Sequence, residues 1–123
     1  MQKTSVVLLP GLLCNAGLFI NQINAFKDLA DFFVPDLGTD GDIRSAAARI
    51  LSQAPEKFVL GGLSMGGYVA LEIMRQAPER VSKLILMDTS AAPDAPQKRE
   101  SRLKGIEFAR KNGLEPLIKA ALL

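Results

Sequence analysis

The chain has 123 residues, 48% of them hydrophobic and 23% charged, with a net charge of +2 at pH 7. That is the size of one domain with ordinary globular usage, and it excludes a disordered or strongly basic chain. The basic residues are dispersed except for Lys98, Arg99, Arg102 and Lys104, a run interrupted by Glu100 and read as a solvated helix face, so no nucleic-acid partner is expected.

The first element is an apolar run from Ser5 to Leu9, stopped by Pro10-Gly11, which predicts a buried strand. With Lys3 ahead of it and Cys14 behind, this stretch superficially resembles a secretory signal. The Pro-Gly interruption, and Leu13 where a small residue should precede cleavage, favour a strand and a loop. Leu18 to Ala30 has helical spacing of apolar residues. Phe32 to Val34 predicts a second strand, ended by Pro35. Asp36 to Gly41 is a loop, and Asp40 or Asp42 can cap the helix expected over 43–53.

Lys57 to Gly61 predicts a third strand, Met65 to Gln76 a helix, and Lys83 to Met87 a fourth strand. A loop from Asp88 to Pro96 leads to an amphipathic helix over 97–111 that presents Leu103, Ile106 and Phe108 and is broken by Gly113. A further helix starts at Glu115. The alternation of buried strands and helices implies an α/β fold with a parallel sheet and right-handed crossovers, in which ligands lie at the carboxyl ends of the strands. The chain stops in mid-helix on apolar residues, and we expect a cut end there rather than a natural terminus.

One of the loops at those carboxyl ends carries GGLSMGG, residues 61–67. Its Gly62-x-Ser64-x-Gly66 pattern lies between a strand and a helix. That is the setting in which a serine sits on a strained turn with its hydroxyl exposed at a helix N-terminus. Gly62 and Gly66 are expected to remove side chains that would clash with the turn, and Gly67 to let the helix approach a neighbouring strand. The plainer alternative is a structural turn with Ser64 as a helix N-cap. The chain lacks both the P-loop and the dinucleotide-binding glycine patterns.

Acyl transfer at a serine needs two N–H donors for the oxyanion. Met65, after the nucleophile, and Leu12, in the loop after the first strand, are the candidates, the alternative for Pro10-Gly11 being a plain turn. A serine nucleophile also needs a base, and the chain contains no histidine.

The segments VVLLPGLLCNAGLF, VPDLGTDGDI and FVLGGLSMGGYVALEIMRQAPERVSKLILMDTSAAPD, in this order, resemble the α/β-hydrolase superfamily, in particular its compact bacterial serine esterase-like members. The resemblance covers most of the chain up to Pro96. It implies that the four strands are the third to sixth of the usual sheet, in the spatial order fourth, third, fifth, sixth. Residues 1–96 would be the amino-terminal part of the core, and residues 97–123 the start of a helical cap or lid.

Carried over position by position, Ser64 matches the nucleophile, Leu12 and Met65 the oxyanion-hole donors, and Gly62 and Gly66 the elbow glycines. Pro10 stands where many members have a non-catalytic histidine. The family's acid and base follow later strands that this chain does not reach, so the resemblance implies a portion of a serine hydrolase, itself inactive, whose histidine lies elsewhere. Asp88, after the fourth strand, is a possible but disfavoured acid, Asp36 is read as organising its loop, and Cys14 as a small buried side chain.

The implied reaction is hydrolysis of a small carboxylic ester or thioester through an acyl-enzyme, with no metal or organic cofactor and a small-molecule acyl substrate as partner. The single cysteine excludes an internal disulfide and fits a reducing, cytoplasmic setting. No apolar run approaches the ~18 residues of a membrane span, so no membrane partner is expected. The same fold also runs cofactor-free peroxidase, carbon–carbon hydrolase and lyase chemistry, and a non-catalytic truncated binding module is the third alternative.

Overall fold

The computed structural model describes residues 2–121. Four strands, β1 (Thr4–Leu9), β2 (Ala30–Phe33), β3 (Phe58–Leu63) and β4 (Val81–Met87), form one parallel sheet in the order β2-β1-β3-β4. This is the order expected from the resemblance. Val6 pairs with Phe32 on one side and Val59 on the other, and Leu63 pairs with Met87.

A 3₁₀ turn (Ala16–Phe19) leads into α1 (Ile20–Phe26), α2 covers Ile43–Gln53 and α3 covers Met65–Gln76. Both longer helices occupy the expected spans. Asp42, not Asp40, caps α2, its carboxylate accepting from the Ser45 N–H at 2.7 Å. Asp40 instead pairs with Arg49, whose guanidinium also reaches the Asp36 carbonyl, while the Asp36 carboxylate accepts from the Gly38 N–H at 2.8 Å. Loop 36–42 is thus folded onto α2.

The helix expected through Ala30 is corrected: it ends at Phe26, and the Leu29 N–H turns back to the Phe26 carbonyl. Ala30 already belongs to β2, paired with Thr4. The apolar spacing continues through Leu29 and Ala30, but the ladder with β1 claims the backbone and overrides it.

One face of the sheet carries Val7, Leu9, Phe58 and Leu60, fully buried against Ala46, Ala47 and Ile50 of α2 and Val69, Ala70 and Ile73 of α3. Arg80 ties the far end together, donating to the carbonyls of Leu51, Ala54, Pro55 and Glu56 and lying over the Phe58 ring. The other face, with Val6, Phe32, Val59 and Ile85, is only partly covered by the segment around α1, and an apolar groove of about 620 Å³ runs along it. Parallel sheets are ordinarily buried on both faces; here the second face is half open. β4 is an edge strand, and its Leu84, Ile85 and Leu86 are 37%, 46% and 43% exposed.

The chain divides into two units, residues 1–91 with the sheet and residues 92–123. The second unit is helical, with α4 (Pro96–Asn112) and α5 (Leu114–Ala121). Gly113 ends α4 with a φ of 84° and donates its N–H to the Ala109 carbonyl. Asp94 pairs with Lys98 and Arg102, and Glu100 with Lys104. Leu103, Ile106 and Phe108 are exposed. The last two residues of the helix expected from Glu115 lie outside the described ones.

Candidate active site

The first candidate, Ser64, is the residue between β3 and α3. Its backbone has φ 52° and ψ −114°, a conformation that L-residues avoid. It is exposed, and its hydroxyl makes no capping hydrogen bond to α3, so the N-cap alternative finds no support in the geometry. The strain is held from both sides. The Ser64 N–H donates to the Met87 carbonyl at 3.0 Å, at the end of β4. The Ser64 carbonyl accepts from the Gly67 N–H at 2.9 Å and from the Thr89 hydroxyl at 2.8 Å.

The glycines around Ser64 leave spaces that neighbouring atoms fill, backbone at Gly62 and Gly66 and a side chain at Gly67. A Cβ at Gly62 would lie 2.7 Å from the Gly66 carbonyl carbon, so Gly62 makes room within the turn itself. A Cβ at Gly66 would lie 2.6 Å from the Leu9 carbonyl carbon, so it is Gly66 that lets α3 approach the neighbouring strand. A Cβ at Gly67 would lie 2.5 Å from the Thr89 Cβ, so Gly67 makes room for that side chain, two residues past the end of β4.

The close approach at Gly66 brings the start of α3 against the end of β1. Gly11 is so near that a Cβ on it would be 3.7 Å from the Ser64 Cβ. The loop from Gly11 turns at once, with the Cys14 N–H donating to the Gly11 carbonyl at 3.1 Å and Leu13 at a φ of 60°. The Leu12 N–H is not used in that turn bond. The Met65 N–H, first in α3, has no intrahelical acceptor. Gly11, the neighbour of Leu12, thus lies beside Ser64, and Met65 follows Ser64 as the first residue of α3.

Cys14 is exposed, not buried, its Sγ 3.4 Å from the Leu12 carbonyl, because the Leu13 turn carries it outward. Asp88 is exposed at the same carboxyl end, with a φ of 45°. Ser64, Leu12 and Met65 do not line the apolar groove, which belongs to the open sheet face. Among the described residues no cluster of three or more His, Cys, Asp or Glu could hold a metal, and no helix is long and apolar enough to cross a membrane. Thr89 was not singled out from the sequence; its only signal there is Gly67, whose missing side chain nothing local explains.

No family model matches the chain. The chain is 36% identical over 99 residues to a pimeloyl-[acyl-carrier protein] methyl ester esterase of Vibrio parahaemolyticus, a match covering 72% of this chain and 38% of that protein. It superposes on a thermophilic esterase from Thermogutta terrifontis with a TM-score of 0.84 and 30% identity, covering 98% of this chain and 49% of that one. The chain has the fold of an α/β-hydrolase core. An enol-lactonase from Burkholderia xenovorans matches at a TM-score of 0.84 and 19% identity, which shows the hydrolase fold alone. The chain spans 38% of the length of the curated Vibrio relative and about half of these two solved α/β-hydrolases.

Proposed function

We propose that this chain carries the nucleophile and oxyanion hole of a serine hydrolase acting on carboxylic esters or thioesters. The observation that carries the reading is Ser64 itself: exposed, without a capping bond, and held at a positive φ between a strand and a helix. Ser64 Oγ attacks the acyl carbonyl carbon, and the oxyanion forms against the N–H groups of Leu12 and Met65. A base removes the Ser64 proton and returns it to the leaving alcohol or thiol. Water then attacks the acyl-enzyme and releases the acid. No metal or organic cofactor takes part.

The Vibrio and Thermogutta proteins named above are esterases, which supports a carboxylic ester as the substrate class. The 123 residues contain no histidine, so in this reading the imidazole comes from sequence outside them, and the 123-residue chain turns over little by itself. Helices α4 and α5 follow the sixth-strand position, and we assign them to the start of a lid.

The test is labelling of the protein at its natural length, isolated from its source, with a fluorophosphonate that reacts only with activated serines. The tryptic peptide 58–75 should carry the phosphonate on Ser64, while the 123-residue chain alone should not label. An unlabelled Ser64 beside other labelled serine hydrolases in the same extract would overturn the reading.

A further inference from the structure

The Thr89 hydroxyl donates to the Ser64 carbonyl oxygen at 2.8 Å, across 25 residues of sequence. That oxygen shares a peptide unit with the Met65 N–H. The unit is planar and trans, so its N–H points opposite to its C=O. Whatever fixes the oxygen also fixes where the N–H aims. A hydrogen bond accepted by the oxygen further polarises the amide and strengthens its N–H as a donor.

Three features place Thr89 for this contact. Asp88 takes a φ of 45°, bending the chain directly after β4. Gly67 lacks the Cβ that would collide with the Thr89 side chain. The Met87 carbonyl holds the Ser64 N–H at 3.0 Å, so the segment 87–89 grips both backbone groups of Ser64.

We propose that Thr89 is a positioning residue of the oxyanion hole: its hydroxyl orients and polarises the Ser64–Met65 peptide so that the Met65 N–H meets the developing anion. This rests on the reading of Ser64 as the nucleophile. Thr89 touches no reacting atom; it acts through the peptide. The Gly67 N–H donates to the same oxygen at 2.9 Å, but it belongs to the turn of α3 and moves with it. Thr89 ties that turn to the neighbouring strand.

Two measurements test it. The natural-length protein is labelled with ¹⁵N-methionine, and the amide resonances of Met65, Met74 and Met87 are assigned by single Met→Leu substitutions. Thr89→Val should move the Met65 resonance upfield in nitrogen, leave Met74 in place as a check on the fold, and Thr89→Ser should restore it. In the natural-length protein, Thr89→Val should slow fluorophosphonate labelling of Ser64 about 10-fold, well short of deleting an oxyanion donor, and Thr89→Ser should recover the rate.

A Met65 resonance indifferent to Thr89→Val overturns the inference. So does a Thr89→Val protein that labels as fast as wild type. A wild type that does not label at all removes the nucleophile reading and this role with it, and is told apart because the failure then precedes any change at Thr89.

Discussion

Gly66 sits against the carbonyl of Leu9 so closely that a Cβ on it would fall 2.6 Å from the carbonyl carbon. That contact joins the start of α3 to the end of β1 and sets the spacing between the loops that carry Ser64 and Leu12. The obstructing atoms are backbone and cannot rotate away. Gly66→Ala should therefore destabilise the fold by about 3 kcal/mol, at the upper end of overpacking costs. Gly41→Ala is the control, since a Cβ there meets nothing within 4 Å, and it should be close to neutral. Urea unfolding of the two variants checks this; equal midpoints would refute the close approach.

Much of this arrangement is legible in the sequence. The bounds of α2 follow from Asp42 as a cap, and those of α3 from the elbow pattern and Pro78. The strand order follows from the resemblance. The misreadings are where tertiary contacts decide. Ala30 fits the apolar spacing of a helix and still joins β2, because Thr4 pairs with it. Cys14 reads as buried until the Leu13 turn carries it outward. Thr89 is invisible because a threonine after a strand is common, and its partner Ser64 lies 25 residues away.

The β4 edge predicts how the isolated chain behaves. Its unpaired backbone and the half-exposed Leu84, Ile85 and Leu86 form an open apolar edge, which templates pairing with other chains. The 123-residue chain should self-associate as its concentration rises. Ile85→Lys should shift it toward monomer while costing no more than about 1 kcal/mol of stability, the span of strand propensity. Sedimentation velocity over a concentration series reads this, and a wild type that stays monomeric throughout would contradict it.

Glu72 gives a pH dependence with a definite sign. Hydrogen bonds from the Arg75 guanidinium, then from the Gln76 amide, hold its carboxyl down at about 2, against an ordinary 4.5. A depressed carboxylate favours the folded state above its unfolded value, and the contribution disappears as pH falls through the folded value. The loss therefore falls between about 4.5 and 2. Glu72→Gln should be less stable than wild type at pH 7, and the difference should shrink through that window. Thermal melts of both proteins at intervals from pH 7 to pH 2 measure it. A gap that widens on acidification would reverse the assigned sign.

Ser64 links backbone strain to the proposed chemistry. A non-glycine residue held at φ 52° costs on the order of 1–3 kcal/mol, and only glycine relieves it. Ser64→Ala keeps the Cβ and the strain, so its stability should match wild type. Ser64→Gly removes the strain but adds the larger chain entropy of glycine to the unfolded state, roughly 0.5–1 kcal/mol. The balance is a gain of about 1 kcal/mol for Ser64→Gly over Ser64→Ala. Neither variant should accept a phosphonate at position 64 in the natural-length protein. A turn kept under strain with a serine, where glycine is more stable, is the pattern expected when the hydroxyl is held for chemistry. If Ser64→Gly unfolds at the same urea concentration as Ser64→Ala, the elbow is relaxed and that argument for a nucleophile is lost.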